Sequence, residues 1–117
     1  MLTWSRWIAD ATTQIAQQAM QHHNAGTLES GIYNLTCAGA TSWHGFAEAI
    51  IKEYRAIHPD MPLRVREIEP IATADYPLPA KRPLNSRLDG SKLVRDYGIV
   101  PPQWQEALHL CMQEVQP

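Results

Sequence analysis

The feature that most limits this chain is the run from Glu69 to Pro83, where Pro70, Pro77, Pro79 and Pro83 fall within fifteen residues. Each proline removes a backbone donor and fixes its own φ, so the run cannot be a helix or a central strand. It must be a loop, and a loop this long usually carries work of its own.

The loop leads directly into Ala80-Lys81-Arg82-Pro83-Leu84-Asn85-Ser86-Arg87-Leu88-Asp89. Three cations, Lys81, Arg82 and Arg87, stand beside the short polar side chains Asn85 and Ser86. A guanidinium fork matches the planar oxygens of a phosphate or carboxylate better than an ammonium does. Pro83 also pushes Arg82 into an extended conformation, which restricts the backbone that carries the cations. The segment reads as an anion site, with Asn85 to Leu88 as a short strand. Basic residues beside a proline-rich turn are also, more simply, solvated surface, and spacing alone does not separate the two readings.

Upstream, three elements are legible. Trp4, Trp7, Ile8, Ala11, Ile15 and Ala19 share one helical stripe, with Thr3 as its cap and His22-His23-Asn24-Ala25-Gly26 as its end. Adjacent histidines do not share a helix face, so His22 and His23 do not read as a metal pair. Gly31 to Cys37 is short, β-branched and aromatic, and reads as a strand. Thr41 or Ser42 then caps a helix whose Trp43, Phe46, Ala47, Ile50, Ile51 and Tyr54 fit the apolar helical template without a gap.

A strand, a glycine and a capped helix make a βα unit, and such units present ligands at the strand's carboxyl end. Gly39, Thr41, Ser42 and His44 are therefore candidate lining residues. The same Thr41 and Ser42 could equally serve only the helix's first amides, and first-turn His44 reads as a surface histidine. Downstream, Leu63 to Ile68 alternates apolar with charged residues as a half-exposed strand would. Asp89 caps a short helix carrying Leu93, Val94 and Tyr97, and Gly98 ends it. Pro101-Pro102 open a last helix with Trp104, Ala107, Leu108, Cys111, Met112 and Val115 on one face. The fold class expected is α/β: about four helices with two or three short strands in a single lobe spanning 1–117.

The 117 residues suit one core, and 44% apolar with 19% charged residues is an ordinary globular balance. A net charge of -2 offers no basic stripe for nucleic acid. Cys37 and Cys111 form no C-x-x-C, which fits reduced thiols in a cytoplasmic protein, and no apolar run has the length of a membrane span. Glycines at 26, 31, 39, 45, 90 and 98 cannot form G-x-G-x-x-G, and no tyrosine is followed four residues later by lysine. No catalytic residue and no cofactor-binding or metal site is assigned.

The runs A-K-R-P-L-N-S-R-L, D-G-S-K-L and Y-G-I-V-P-P-Q-W-Q-E-A-L, preceded by G-I-Y-N-L-T-C-A-G-A-T-S-W-H-G-F-A-E-A-I and T-W-S-R-W-I-A-D-A-T, resemble in order the carboxyl-terminal portion of the dTDP-4-dehydrorhamnose reductases. These are extended short-chain dehydrogenases/reductases, and the likeness covers essentially the whole chain. It implies a substrate-binding lobe that lacks the Rossmann nucleotide-binding domain. The whole enzyme would use NADPH to reduce dTDP-4-dehydro-L-rhamnose to dTDP-L-rhamnose, with the cofactor loop and Tyr-x-x-x-Lys pair in a companion region or partner chain.

By the same resemblance Arg82 would meet the pyrophosphate of a dTDP-sugar, with Lys81, Asn85, Ser86 and Arg87 in the same motif. Alone, the chain is then expected to be inactive. A non-catalytic regulatory or scaffold subunit related to the family is the alternative, and a helical interaction module a third reading. Without the companion region, Trp4, Trp7 and Ile32 would be left bare, which favours a homodimer or a repacked first helix.

Overall fold

The computed structural model describes residues 2–116. Four helices appear in the expected order, α1 (Ser5–Asn24), α2 (Trp43–Ile57), α3 (Ser91–Tyr97) and α4 (Trp104–Met112), although α4 begins after Pro101-Pro102 and ends before Val115, which was expected on its stripe. The proline-rich loop is a loop, interrupted only by a single 3-10 turn at Thr73–Asp75.

The helix ends follow local chemistry. Ser42 caps α2 by accepting from the Gly45 amide at 3.0 Å. Gly98 ends α3 with φ +65°, and Gly26 turns the chain after α1 with φ +72°, conformations that cost other residues more. Two expected caps are different. Thr3 does not cap α1, since its hydroxyl instead donates to Thr36 Oγ1 at 3.3 Å. Asp89 acts one residue outside its helix, accepting from the Ser91 amide at 2.9 Å, with Gly90 in the cap position.

The expected α/β architecture is not what forms. Among the described residues Gly31 to Cys37, Leu63 to Ile68 and Asn85 to Leu88 make no sheet, and the one ladder contact is an isolated parallel bridge between Ala38 and Gln103. A strand exists only when a neighbour takes its backbone groups, and here side chains take them instead. Lys92 Nζ donates to the Ile32 carbonyl at 3.2 Å, Arg55 Nη2 to that of Val65 at 3.4 Å, and His44 Nε2 to that of Ile68 at 3.0 Å. Asn85 Oδ1 accepts from the Arg87 amide, curling that expected strand into a turn.

Packing divides into two clusters. Ala11, Leu93 and Ile99 are buried together, with Trp7, Ile15, Tyr33, Leu35 and Tyr97 around them, so α1 and α3 share one core. The second joins α2 to α4, where Ala107, Leu108 and Met112 are buried. His109 Nδ1 donates to Glu53 Oε2 at 2.8 Å across this pair, while Gln113 Nε2 donates to the other ring nitrogen at 3.0 Å. The Ala38 amide donates to the Pro102 carbonyl and the Trp104 amide to the Ala38 carbonyl, which ties the start of α4 to the segment ahead of α2.

Neither cluster is large. The accessible surface is 9141 Å², against about 6,400 Å² for a compact chain of this mass. The radius of gyration, 18.2 Å, likewise exceeds the roughly 13 Å of a compact domain of this length. Even α2, with its unbroken apolar stripe, has no fully buried residue, because α4 is the one helix packed closely against it. Of the three residues expected to be bare, Trp4 and Trp7 are half-buried, Trp7 against the first core, whereas Ile32 is 89% exposed.

Candidate functional site

The segment before α2 and the proline-rich loop face each other across a cleft of about 580 Å³, within the roughly 300–1,000 Å³ usual for small-ligand sites. One wall is Gly39, Thr41, Ser42, Trp43 and His44, leading into α2. The opposite wall is Ile71, Tyr76 and Leu78, continuing to Arg82, Ser86 and Arg87. Phe46 and Trp104 close it from the helical side.

Two sets of candidates that the sequence offered separately thus meet in one place: Gly39, Thr41, Ser42 and His44 from the first wall, and Arg82, Ser86 and Arg87 from the second. Lys81 and Asn85 do not line the cleft. Lys81 is exposed outside it, and the Asn85 carboxamide shapes the turn by holding the Arg87 amide at 3.0 Å. Neither Arg82 nor Arg87 forms an ion pair among the described residues. Both guanidinium groups therefore face solvent uncompensated beside an apolar wall.

The other wall adds backbone donors. In α2 the Gly45 amide is taken by the Ser42 hydroxyl and the Phe46 amide by the Ser42 carbonyl at 2.9 Å. The first-turn amides of Trp43 and His44 have no carbonyl in their own helix and are left to solvent or a ligand. The helix dipole makes this end favourable for an anion.

Gly39 lies at φ +81°, and a Cβ there would stand 2.8 Å from Gln103 Oε1 and 3.0 Å from Trp104 Cδ1. Its smallness admits the chain's own α4, which is what lets the two walls share a floor.

His44 is more constrained than a surface histidine. Nε2 donates to the Ile68 carbonyl, at the root of the proline-rich loop, and Nδ1 lies 3.5 Å from Glu48 Oε2. Glu48 stands four residues on and was the readable signal for this arrangement. With one ring nitrogen committed to the backbone, His44 fastens the loop to α2. Reading the sequence also missed Trp43, counted in the α2 core stripe yet 72% exposed on the cleft, and Tyr76, 63% exposed opposite.

A nicotinamide dinucleotide does not fit the described residues. A Rossmann site takes it on a glycine-rich turn between a strand and a helix, and the one glycine lining the cleft, Gly39, is instead packed against Gln103 and Trp104.

The family model described as the RmlD substrate binding domain matches residues 2–117. The chain is 46% identical over 113 residues to the dTDP-4-dehydrorhamnose reductase of Burkholderia thailandensis, covering 97% of this chain and 38% of that protein. It is 41% identical over 106 residues to the reductase of that name from Aggregatibacter actinomycetemcomitans, covering 91% and 34%. With that of Escherichia coli it shares 29% over 113 residues, covering 97% and 36%. The chain thus spans little more than a third of the length of these relatives, and it belongs to the RmlD substrate-binding domain family.

Proposed function

We propose that this chain is the substrate-binding part of a dTDP-4-dehydrorhamnose reductase, and that its cleft holds the dTDP-sugar by the diphosphate. The observation that carries this reading is the convergence of Arg82, Arg87 and Ser86 with Trp43 and His44, the first turn of α2, on one cleft. Guanidinium groups and amide donors together satisfy many oxygens of a dianionic diphosphate, and the relatives named above act on dTDP-linked substrates by their names. Lys81 and Asn85 then support the motif from outside the cleft: Lys81 by its charge, Asn85 by fixing the turn that carries Arg87.

Binding and orientation are what this chain supplies to the reaction. NADPH and the group that protonates the new alkoxide would belong to a companion nucleotide-binding region, so the chain alone turns over no NADPH. Exposed Ile32, Leu84 and Val100 would meet that region or, in its absence, a second copy of the chain. This reading puts the protein in the cytoplasm with its soluble substrate, and no helix of the described residues is long and apolar enough to cross a membrane.

The test is a titration of the 15N-labelled chain with dTDP. Shifts at Arg82, Ser86, Arg87 and the Trp43 and His44 amides are expected, and a spectrum unchanged at millimolar dTDP would remove the proposal. NADPH oxidation by the isolated chain with the 4-keto sugar would overturn the assignment of a purely binding role.

A further inference from the structure

Arg82 and Arg87 can hold an anion against α2 only while the loop that carries them stays in place, and that loop has few bonds to the rest of the fold. Among the described residues, the hydrogen bonds made by residues 69–88 are all local: Ala72 with Asp75, Thr73 with Tyr76, Asn85 with Arg87. No ion pair reaches them. Two side chains hold the ends instead. Asn34 Nδ2 donates to the Asp89 carbonyl at 3.0 Å, and His44 Nε2 donates to the Ile68 carbonyl at 3.0 Å.

The His44 anchor differs from the Asn34 one because it can change charge. In a neutral imidazole one nitrogen donates and the other offers a lone pair, whereas both donate in the cation. Both ring nitrogens here face acceptors, the Ile68 carbonyl and, 3.5 Å from Nδ1, the Glu48 carboxylate. The neutral ring satisfies the first and turns a lone pair toward the second. The imidazolium satisfies both, and its bond to the carbonyl becomes charge-assisted. Glu48 is its ion-pair partner on α2. Across the cleft stand Arg82, Arg87 and the Tyr76 hydroxyl, and Glu67 and Glu69 flank Ile68 without pairing to the ring. The two guanidinium groups oppose a further cation until an anion enters between them, so proton and anion favour each other.

We infer that His44 is a positioning residue whose proton tightens the anion-binding loop onto α2, so that the cleft holds its diphosphate more firmly when His44 is protonated. This inference rests on the dTDP-sugar reading above and adds the residue that keeps the cationic wall in place. His44 does this without touching the ligand through its ring nitrogens, since both are already engaged. The sign follows from the proton: the gain is present at low pH and lost as pH rises through the range in which an imidazole deprotonates.

The experiment measures dTDP-glucose affinity between about pH 5.5 and about pH 8.5, which brackets that range. Its diphosphate is esterified at both ends and lacks the ionisation near about pH 6 of a free phosphate end, so the ligand's charge stays constant. The parent chain should bind about fivefold more tightly at the acid end, the difference between a neutral and a charge-assisted hydrogen bond. His44→Ala should weaken binding about tenfold at the acid end and remove the pH dependence. His44→Gln, whose carboxamide can donate to the same carbonyl but takes up no proton, should recover part of that loss with an affinity that does not vary with pH. In the free parent chain the amide signals of Ile71, Tyr76 and Arg82 should move over the same pH range, and in His44→Gln they should not.

A pH dependence that survives in His44→Gln would assign it to another group and overturn the inference. Loop signals that stay still while affinity changes would mean that His44 meets the ligand directly, and would overturn it too. Affinity that neither pH nor His44→Ala alters, with a loss in Arg82→Ala, would remove the latch and leave the functional reading intact. A parent chain that binds no dTDP-glucose at either pH would bring down both.

Discussion

Helix α2 and the loop that faces it form two walls of one cleft, yet they are held in opposite ways. Beyond the open amides of its first turn α2 satisfies its own backbone, has its cap in Ser42 and lays an apolar face on α4. Residues 63 to 88 have a single 3-10 turn and otherwise borrow their bonds from side chains, those of His44, Arg55 and Asn85. Most of their apolar residues are exposed, Ile71 at 61% and Leu84 at 97%. The helices hold the fold, whereas the loop carries Arg82 and Arg87, which form no ion pair among the described residues. A ligand bridging both walls would therefore order the weaker one and stabilise it by mass action.

The contrast breaks most visibly where a helix loses core. Leu93, 2% exposed between Ala11 and Ile99, leaves a cavity when truncated, so Leu93→Ala should cost about 2–5 kcal/mol in urea unfolding. Arg82→Ala should do the reverse, lowering dTDP affinity about tenfold, as loss of a charge-assisted contact does, while the urea midpoint stays with the parent. A midpoint that falls with Arg82 would mean the loop also holds the fold, and the division would fail. Ser42→Ala tests the shared edge of the two walls. Removing the acceptor for the Gly45 amide should cost about 1 kcal/mol by thermal melting and also loosen dTDP, since the amides beside it lose their fixed start.

How much of this was legible depended on range. Helices α1, α2, α3 and α4 could be read because periodicity, caps and the glycine at 98 are local signals. The strands could not, because Gly31 to Cys37 and Leu63 to Ile68 carry strand-like residues whose neighbours are never announced by their own sequence. Periodicity told which face Trp43 shares with Phe46 and was silent on what covers it. The candidate site was legible in part: side-chain chemistry marked Arg82 and Arg87 as candidates, whereas Gly39, Thr41 and Ser42 were reached through a βα unit whose strand does not form. Only the fold showed that these lie on one cleft, with Lys81 and Asn85 outside it. The contiguous motif A-K-R-P-L-N-S-R-L was among the runs that carried the family resemblance.

The smallest effect separates a side-chain clip in the helical part from the bonds that hold the loop. Tyr33 Oη donates to Asp96 Oδ2 at 2.9 Å, joining the segment before α2 to α3, and within α3 Arg95 Nε donates to Asp96 Oδ1 at 2.7 Å. The hydrogen bond from Arg95, then that from Tyr33, hold the Asp96 carboxyl below its ordinary value of 3.8. The bond to Asp96, helped by burial, raises the Tyr33 hydroxyl above 10.0. Asp96 binds its proton less readily when folded, so its contribution is present above pH 3.8 and lost as pH falls further. Tyr33 holds its proton more readily when folded, so its share is present below pH 10.0 and lost as pH rises past it. Stability measured across pH should therefore decline at both ends, and Tyr33→Phe should abolish its part of the alkaline decline and weaken the acid one. Both limbs unchanged in Tyr33→Phe would show that the clip adds nothing.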